Sequence, residues 1–335
     1  MRIKFKISKL SNLFFFISNL GEWHFSCRKN YNQIWLRKTG SLTDKEKKYL
    51  EKFIKLMKRY GLEYRNNKFM YLGQFFLSPV KNESQIWNGV EKFVKKEDFK
   101  LIKKTFSVFK ERFEKIWKKD KLQKWQRRLN KEVKSKKFKD LLCKISSSLL
   151  CNKNDDNFGI SLIGSPDKNR GTAGGANLNS NNITLEIPLS EITEWNSECA
   201  LGIILHEIAH VFFDKSPLKK KIGKIALLKK MSKINLVIPK RPPEETVKEI
   251  ILSLIAPFGY FTNQYFTNSS PKENIKKFKN KGKRELSKIK NGEEGDLRLI
   301  TCYIVWKLYP VIASYYKREK PFDEELIKKI INYFK

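Results

Sequence analysis

The tightest constraint on how this chain can fold lies at residues 200–213. Ala200-Leu-Gly-Ile-Ile-Leu-His-Glu-Ile-Ala-His-Val-Phe-Phe213 is apolar apart from Gly202 and the polar trio His206, Glu207 and His210. A run of this kind reads as a buried helix, and polar side chains buried within it cost free energy unless they find partners. On a helix, residues four apart stand one above the other, so His206 and His210 present two imidazoles from one face while Glu207 points partly aside. One metal ion would satisfy the three together. Two core histidines bonded to backbone beside a surface carboxylate would explain the positions but not the concentration of polarity. The whole chain has only three histidines, and two of them are this pair.

His206-Glu207-Ile208-Ala209-His210 matches the pattern HExxH. Here the sequence resembles the zincin metallopeptidases, over about residues 183–260. The resemblance implies a catalytic Zn2+ with three protein ligands and one open position. It implies that Glu207 takes a proton from the zinc-activated water and passes it to the leaving amine. The segment Ile183-Thr-Leu-Glu-Ile-Pro-Leu189 alternates like a strand, and Pro188 suits an edge position. In zincins a strand before the HExxH helix rims the cleft and pairs with an extended peptide through main-chain hydrogen bonds. A purely structural edge strand would use the same residues.

The third ligand is sought among carboxylates, because His24 lies in a remote Gly-Glu-Trp-His segment. The extension HExxHxxGxxH is absent. Asp214 falls about 12 Å along the helix axis from His206, too far to share its metal, and would orient His210 or cap a helix end. Residues 241–257 open with prolines and acids, a helix-start signature, and end at Pro257. Glu244 and Glu245 are accounted for by the helix N-terminus they would occupy. Glu249, followed by the apolar stretch Ile250–Ala256, has no such explanation and is favoured, with Glu245 and Glu244 as alternatives. A ligand from a second helix resembles the gluzincin branch, whose ExxxD setting appears here with Ser253 in the Asp position. For the oxyanion donor, Tyr260, Tyr265 and Arg298 are equally placed by sequence.

The formal charge is +35, from 70 Lys and Arg against 35 Asp and Glu, which favours acidic partners. The basic residues are mostly Lys and run along the whole length, so no specific nucleic-acid site is expected; residues 118–139 are the densest candidate for an acidic-partner surface. The five cysteines are scattered without CxxC, which excludes a zinc ribbon or thioredoxin-like motif and suits reduced thiols in the cytoplasm. Residues 1–17 loosely mimic a signal peptide, but Arg2–Ser8 alternates better as a strand, and Lys307 interrupts the longest apolar run.

Thr43-Asp-Lys-Glu46 reads as a capping box before a helix that Gly61 ends, and Phe99 to Trp117 carries an aromatic stripe suited to core packing. The polar stretch 152–157 marks the expected boundary. Phe158–Gly164 reads as a strand and Asn169–Asn177 as a Gly-rich loop. The reading is therefore α+β: a mainly helical region 1–152 and a zincin-like domain 153–335 with a small mixed sheet. The expected function is zinc-dependent peptide hydrolysis. The alternative is a non-catalytic zinc-site protein whose cationic surface binds nucleic acid or acidic proteins; a membrane-surface protein anchored by residues 1–20 is a further rival.

Overall fold

The computed structural model describes residues 1–23, 27–60, 63–65, 68–70, 72–77, 82–151, 157–166, 174–176, 181–189, 197–228, 243–257, 259–266 and 276–334. His24, Gly61, residues 152–156 and residues 169–173 lie outside these. The described chain is mainly helical with one small, mostly parallel sheet and a two-stranded hairpin, which is α+β at the coarse level. It forms two compact units, neither contiguous: residues 1–131 with 156–200, and residues 132–155 with 201–335. This division differs from the expected boundary at 152/153. The sheet and most of the HExxH helix also belong to different units.

In the first unit, β1 (Arg2–Lys6), β4 (Asn157–Ser165), β5 (Gly174–Ala176) and β6 (Asn182–Pro188) form a sheet of order β1-β4-β6-β5. β1 and β6 both run parallel to β4, and β5 is antiparallel to β6. The alternation at residues 2–8 and 183–189 does form strands. The edge position expected for β6 does not hold, because β5 pairs with Ile183–Leu185. A Gly-Gly-Ala strand has no periodicity to announce it, and part of the expected Gly-rich loop is that strand. Pro188 is still accommodated. Leu189 N–H donates to Ser165 O at 2.9 Å, so the nitrogen of Pro188 faces away from β4, beyond the last residue paired with β5.

Helices α1 (Lys9–Leu20), α2 (Lys29–Thr39), α3 (Asp44–Tyr60), α4 (Gly73–Phe76), α5 (Glu83–Phe93) and α6 (Lys96–Glu114) build the core of this unit, with the hairpin β2 (Glu63–Arg65) and β3 (Lys68–Met70) between α3 and α4. The capping box is present: Thr43 Oγ1 accepts from Glu46 N–H at 3.2 Å, and Glu46 Oε2 accepts from Thr43 N–H at 2.8 Å. The α6 stripe is core as expected, since Phe99, Ile102, Phe106, Phe109 and Phe113 are all buried. Buried Arg112 donates to Glu46 at 2.6 and 2.7 Å and to the carbonyls of Thr39, Gly40 and Ser41, so α6 holds the α2–α3 turn by charge-assisted bonds. Asn12 ties α1 to β4, donating to Leu162 O and accepting from Gly164 N–H at 2.7 Å.

Helix α7 (Lys119–Lys134) leads on to the second unit, which contains α8 (Lys136–Ser148), most of α9 (Ser197–Lys215), α10 (Pro217–Leu228), α11 (Pro243–Ile255), α12 (Tyr260–Tyr265), α13 (Lys279–Lys290), α14 (Leu297–Lys317) and α15 (Glu324–Asn332). Every strand among the described residues belongs to the first unit. α14 packs against α11 and α13. At Gly282 an added Cβ would lie 2.2 Å from Leu299 O, so glycine permits the α13–α14 crossing. By length and composition α14 could cross a membrane; ten of its residues, among them Ile300, Ile304 and Ile312, are buried within the protein.

Candidate metal centre

α9 is buried nearly all round, as its sequence requires. His206 and His210 emerge one turn apart on the side facing α11, which supplies Glu249. His206 Nε2 lies 3.2 Å from His210 Nε2 and 3.6 Å from Glu249 Oε2, and His210 Nε2 lies 3.6 Å from Glu249 Oε1. The three side chains are 16, 15 and 25 % exposed, so the cluster is sheltered yet reachable. Among the described residues it is the single group of three or more such side chains able to share an ion.

The tautomer of His206 follows from its other contact. Nδ1 lies 2.9 Å from Ala256 O, and a carbonyl can only accept, so Nδ1 carries the proton and Nε2 faces the cluster. That carbonyl is held by its own supports. Buried Thr262 donates through Oγ1 to Pro257 O at 2.8 Å, with Gly259 O at 3.0 Å, fixing the turn that follows α11. Gly202, one turn before His206, lets α9 approach this turn; an added Cβ would sit 3.2 Å from Pro257 Cβ. The second-sphere role in doubt at Ser253 is thus filled for His206 by backbone.

Electrostatics reinforce the cluster. Burial alone would raise the carboxyl pKa of Glu249, but the two imidazoles facing it outweigh this and hold that pKa well below the ordinary range. Burial likewise opposes the charged form of His206. Its contact with Glu249 and the charges of Glu207 and Glu249 more than offset this, so its pKa lies above the ordinary value. Glu207 itself is buried, at 8 % exposure.

The structure brings together His206, His210 and Glu249 and leaves out the alternatives. Glu245 is 40 % exposed and lies 3.9 Å from Lys248 Nζ. Glu244 keeps a buried carboxylate oxygen without a hydrogen-bond partner. Asp214 neither orients His210 nor caps α9: its Oδ1 accepts from buried Lys248 at 3.1 Å and lies 3.3 Å from Lys219 Nζ. Lys248 precedes Glu249, so this ion pair continues the α9–α11 polar seam one turn past His210. Sequence reasoning missed Lys248, Thr262 and Ala256; a lysine inside an otherwise apolar helix was the available signal for the first.

Of the three oxyanion candidates, Tyr260 packs its ring against Tyr309 and Tyr316, and Tyr265 stacks edge-on to Phe138 with its carbonyl bonded to Lys137. Arg298 is exposed. No protein-family model, curated protein or solved structure matches this chain.

The donor set has the dimensions of a zinc site. A tetrahedron with bonds of about 2.1 Å has edges of about 3.4 Å, and the observed separations of 3.2, 3.6 and 3.6 Å bracket that value. Two imidazoles and a carboxylate, with no thiolate, suit a catalytic rather than a structural zinc. The residues fit the group.

Proposed function

We propose that the protein is a zinc-dependent peptidase of zincin, gluzincin-like type, with His206, His210 and Glu249 as ligands and Glu207 as general base. The observation that carries this reading is the convergence of three donor atoms from two helices at ligand spacing, in a chain whose only other histidine is His24. Bound there, zinc would polarise a peptide carbonyl and bring the pKa of its water to about 7. Glu207, adjacent in sequence to the first ligand, removes a proton from the attacking water and delivers it to the leaving nitrogen. The Ala256 carbonyl keeps the imidazole of His206 in the ligating tautomer, and the Thr262 hydroxyl holds the turn that offers it. Glu249 completes the charge balance, giving a site of net charge +1 with the divalent ion.

The test is metal content and zinc affinity of the wild type beside His206→Ala, Glu249→Ala and Glu207→Gln, with hydrolysis of a mixed peptide library read by mass spectrometry. The expected result is one zinc per chain in the wild type and in Glu207→Gln, loss of metal in the two ligand variants, and cleavage by the wild type alone. A folded wild type that takes up no zinc refutes the metal centre. Stoichiometric zinc without cleavage of any peptide refutes the peptidase.

A further inference from the structure

Helix α7 carries a second feature, inside the first unit. Its apolar residues Leu122 and Leu129 are fully buried, and the opposite face presents Lys121, Lys124, Arg127, Arg128 and Lys131, all exposed. They span eleven residues, about 15 Å of helix. Most sit three or four residues from another cation, a spacing at which like charges destabilise a helix. Some exposed helical lysines elsewhere sit beside carboxylates, such as Lys47 with Asp44, Lys288 with Glu285, Lys328 with Glu324 and Lys329 with Glu325, at 2.8–3.1 Å, while others, such as Lys45, Lys48, Lys52 and Lys55 on α3, do not among the described residues. On α7 none of the five has a carboxylate within ion-pair distance among the described residues. Lys121 donates to the Leu189 carbonyl, Arg128 lies over the Trp125 ring, and Asp120 and Glu132 pair with none of them. The face holds its repulsion uncompensated.

We infer that the α7 face binds the phosphate backbone of double-stranded nucleic acid without reading sequence. A row of cations at helical spacing complements a duplex that carries one negative charge per about 1.7 Å of axis. A membrane surface is disfavoured because interfacial helices insert exposed apolar residues, and those of α7 are consumed by the core. Single strands are disfavoured because they need open aromatic faces for stacking. Trp125 is partly buried, with Arg128 lying over its ring. Phosphate charge alone supplies non-specific binding, and a face of three Lys and two Arg needs no base contact to provide it.

The experiment is fluorescence anisotropy of a short mixed-sequence DNA duplex with the full chain, titrated from about 50 to about 200 mM salt. Five phosphates neutralised give a slope of log K against log salt of about −4.5, or an affinity loss of about 500-fold over that range. The triple variant Lys124→Gln, Arg127→Gln, Lys131→Gln is expected to bind more weakly, with a slope near −1.8 and a loss of only about 12-fold. Its melting temperature should be unchanged or higher, because repulsion is relieved. A control removes the same charge from paired positions, with Lys47, Lys328 and Lys329 each changed to Gln, and keeps the wild-type slope. The inference is overturned if the wild type does not bind the duplex, if the control loses as much slope as the α7 variant, or if phosphatidylserine-rich vesicles bind more tightly than the duplex.

Discussion

Asp214→Ala should destabilise the protein clearly more than Lys248→Met, although the two residues form one ion pair. The Lys248 side chain is 8 % exposed and Asp214 is 30 % exposed, with Nζ and Oδ1 3.1 Å apart. At an effective dielectric of about 20 the gross attraction is about 5 kcal/mol, most of which repays desolvation. Removing Asp214 leaves a buried ammonium whose nearest substitute partner is Glu245, at 3.9 Å and 40 % exposed. Losing one partner of a fully buried pair costs about 3–5 kcal/mol, and partial exposure brings this to about 2 kcal/mol. Removing Lys248 instead leaves Asp214 with Lys219 at 3.3 Å, and methionine fills the vacated space, so the cost is within about 1 kcal/mol. Urea unfolding of metal-free protein, with midpoint and slope both reported, measures the difference. Equal costs, or a larger cost for Lys248→Met, would refute the asymmetry and with it the view that Asp214 answers a buried charge. Lys248 adjoins Glu249, so Asp214→Ala is also expected to weaken zinc binding several-fold by loosening the α9–α11 seam.

Three further outcomes follow from contacts already described. Arg112→Met should cost about 3–5 kcal/mol in the same unfolding assay, because it strands buried Glu46 and three turn carbonyls together. In metal-free protein, the raised pKa of His206 means that its charged contact with Glu249 stabilises fully below about pH 6.5 and is lost as pH rises through the folded value. The increment in Tm on adding zinc should do the opposite and grow from pH 6 to pH 8, since ligation needs neutral imidazoles; scanning fluorimetry with and without metal reads both trends. Gly202→Leu should lower zinc affinity by about tenfold or more, because a side chain there displaces the Pro257 turn and the carbonyl that orients His206; unchanged affinity by competition with a chelating dye would contradict it.

Much of this was legible in local pattern. The Thr43–Glu46 box, the α6 stripe, the strands at 2–6 and 182–188 and the α9 histidine pair each announce themselves within a dozen residues, because capping, amphipathic period and one-turn spacing are short-range properties. Glu249 was legible for a different reason: a carboxylate beside an apolar run needs a partner, and the imidazoles supply one. What was hidden depends on distant pairings. Arg112 meets Glu46 across 66 residues and Tyr31 meets Glu186 across 155, and no periodicity encodes either. β5 escaped because Gly-Gly-Ala carries no alternating signature, and with it went the expectation of an exposed β6 edge. Asp214 was misread because its stripe position suggested a role toward His210, whereas the lysine that claims it lies on another helix.

The pairing of β1 with β4 has a consequence for how the chain is made. Arg2 lies in register with Asn157, and among the described residues β4 is the sole partner of β1 in the sheet. At about 5–20 residues per second, a ribosome releases the second strand roughly 8–30 s after the first. Throughout that interval the nascent chain carries an unpaired strand edge ahead of helices that are already able to pack. The second unit has the same dependence, since its residues 132–155 are synthesised before the rest of the first unit and must wait for residues 201–335. Vectorial synthesis therefore cannot complete one unit before beginning the other. A gene cut at 152/153 would separate β1 from β4 and yield two fragments that fold only when expressed together.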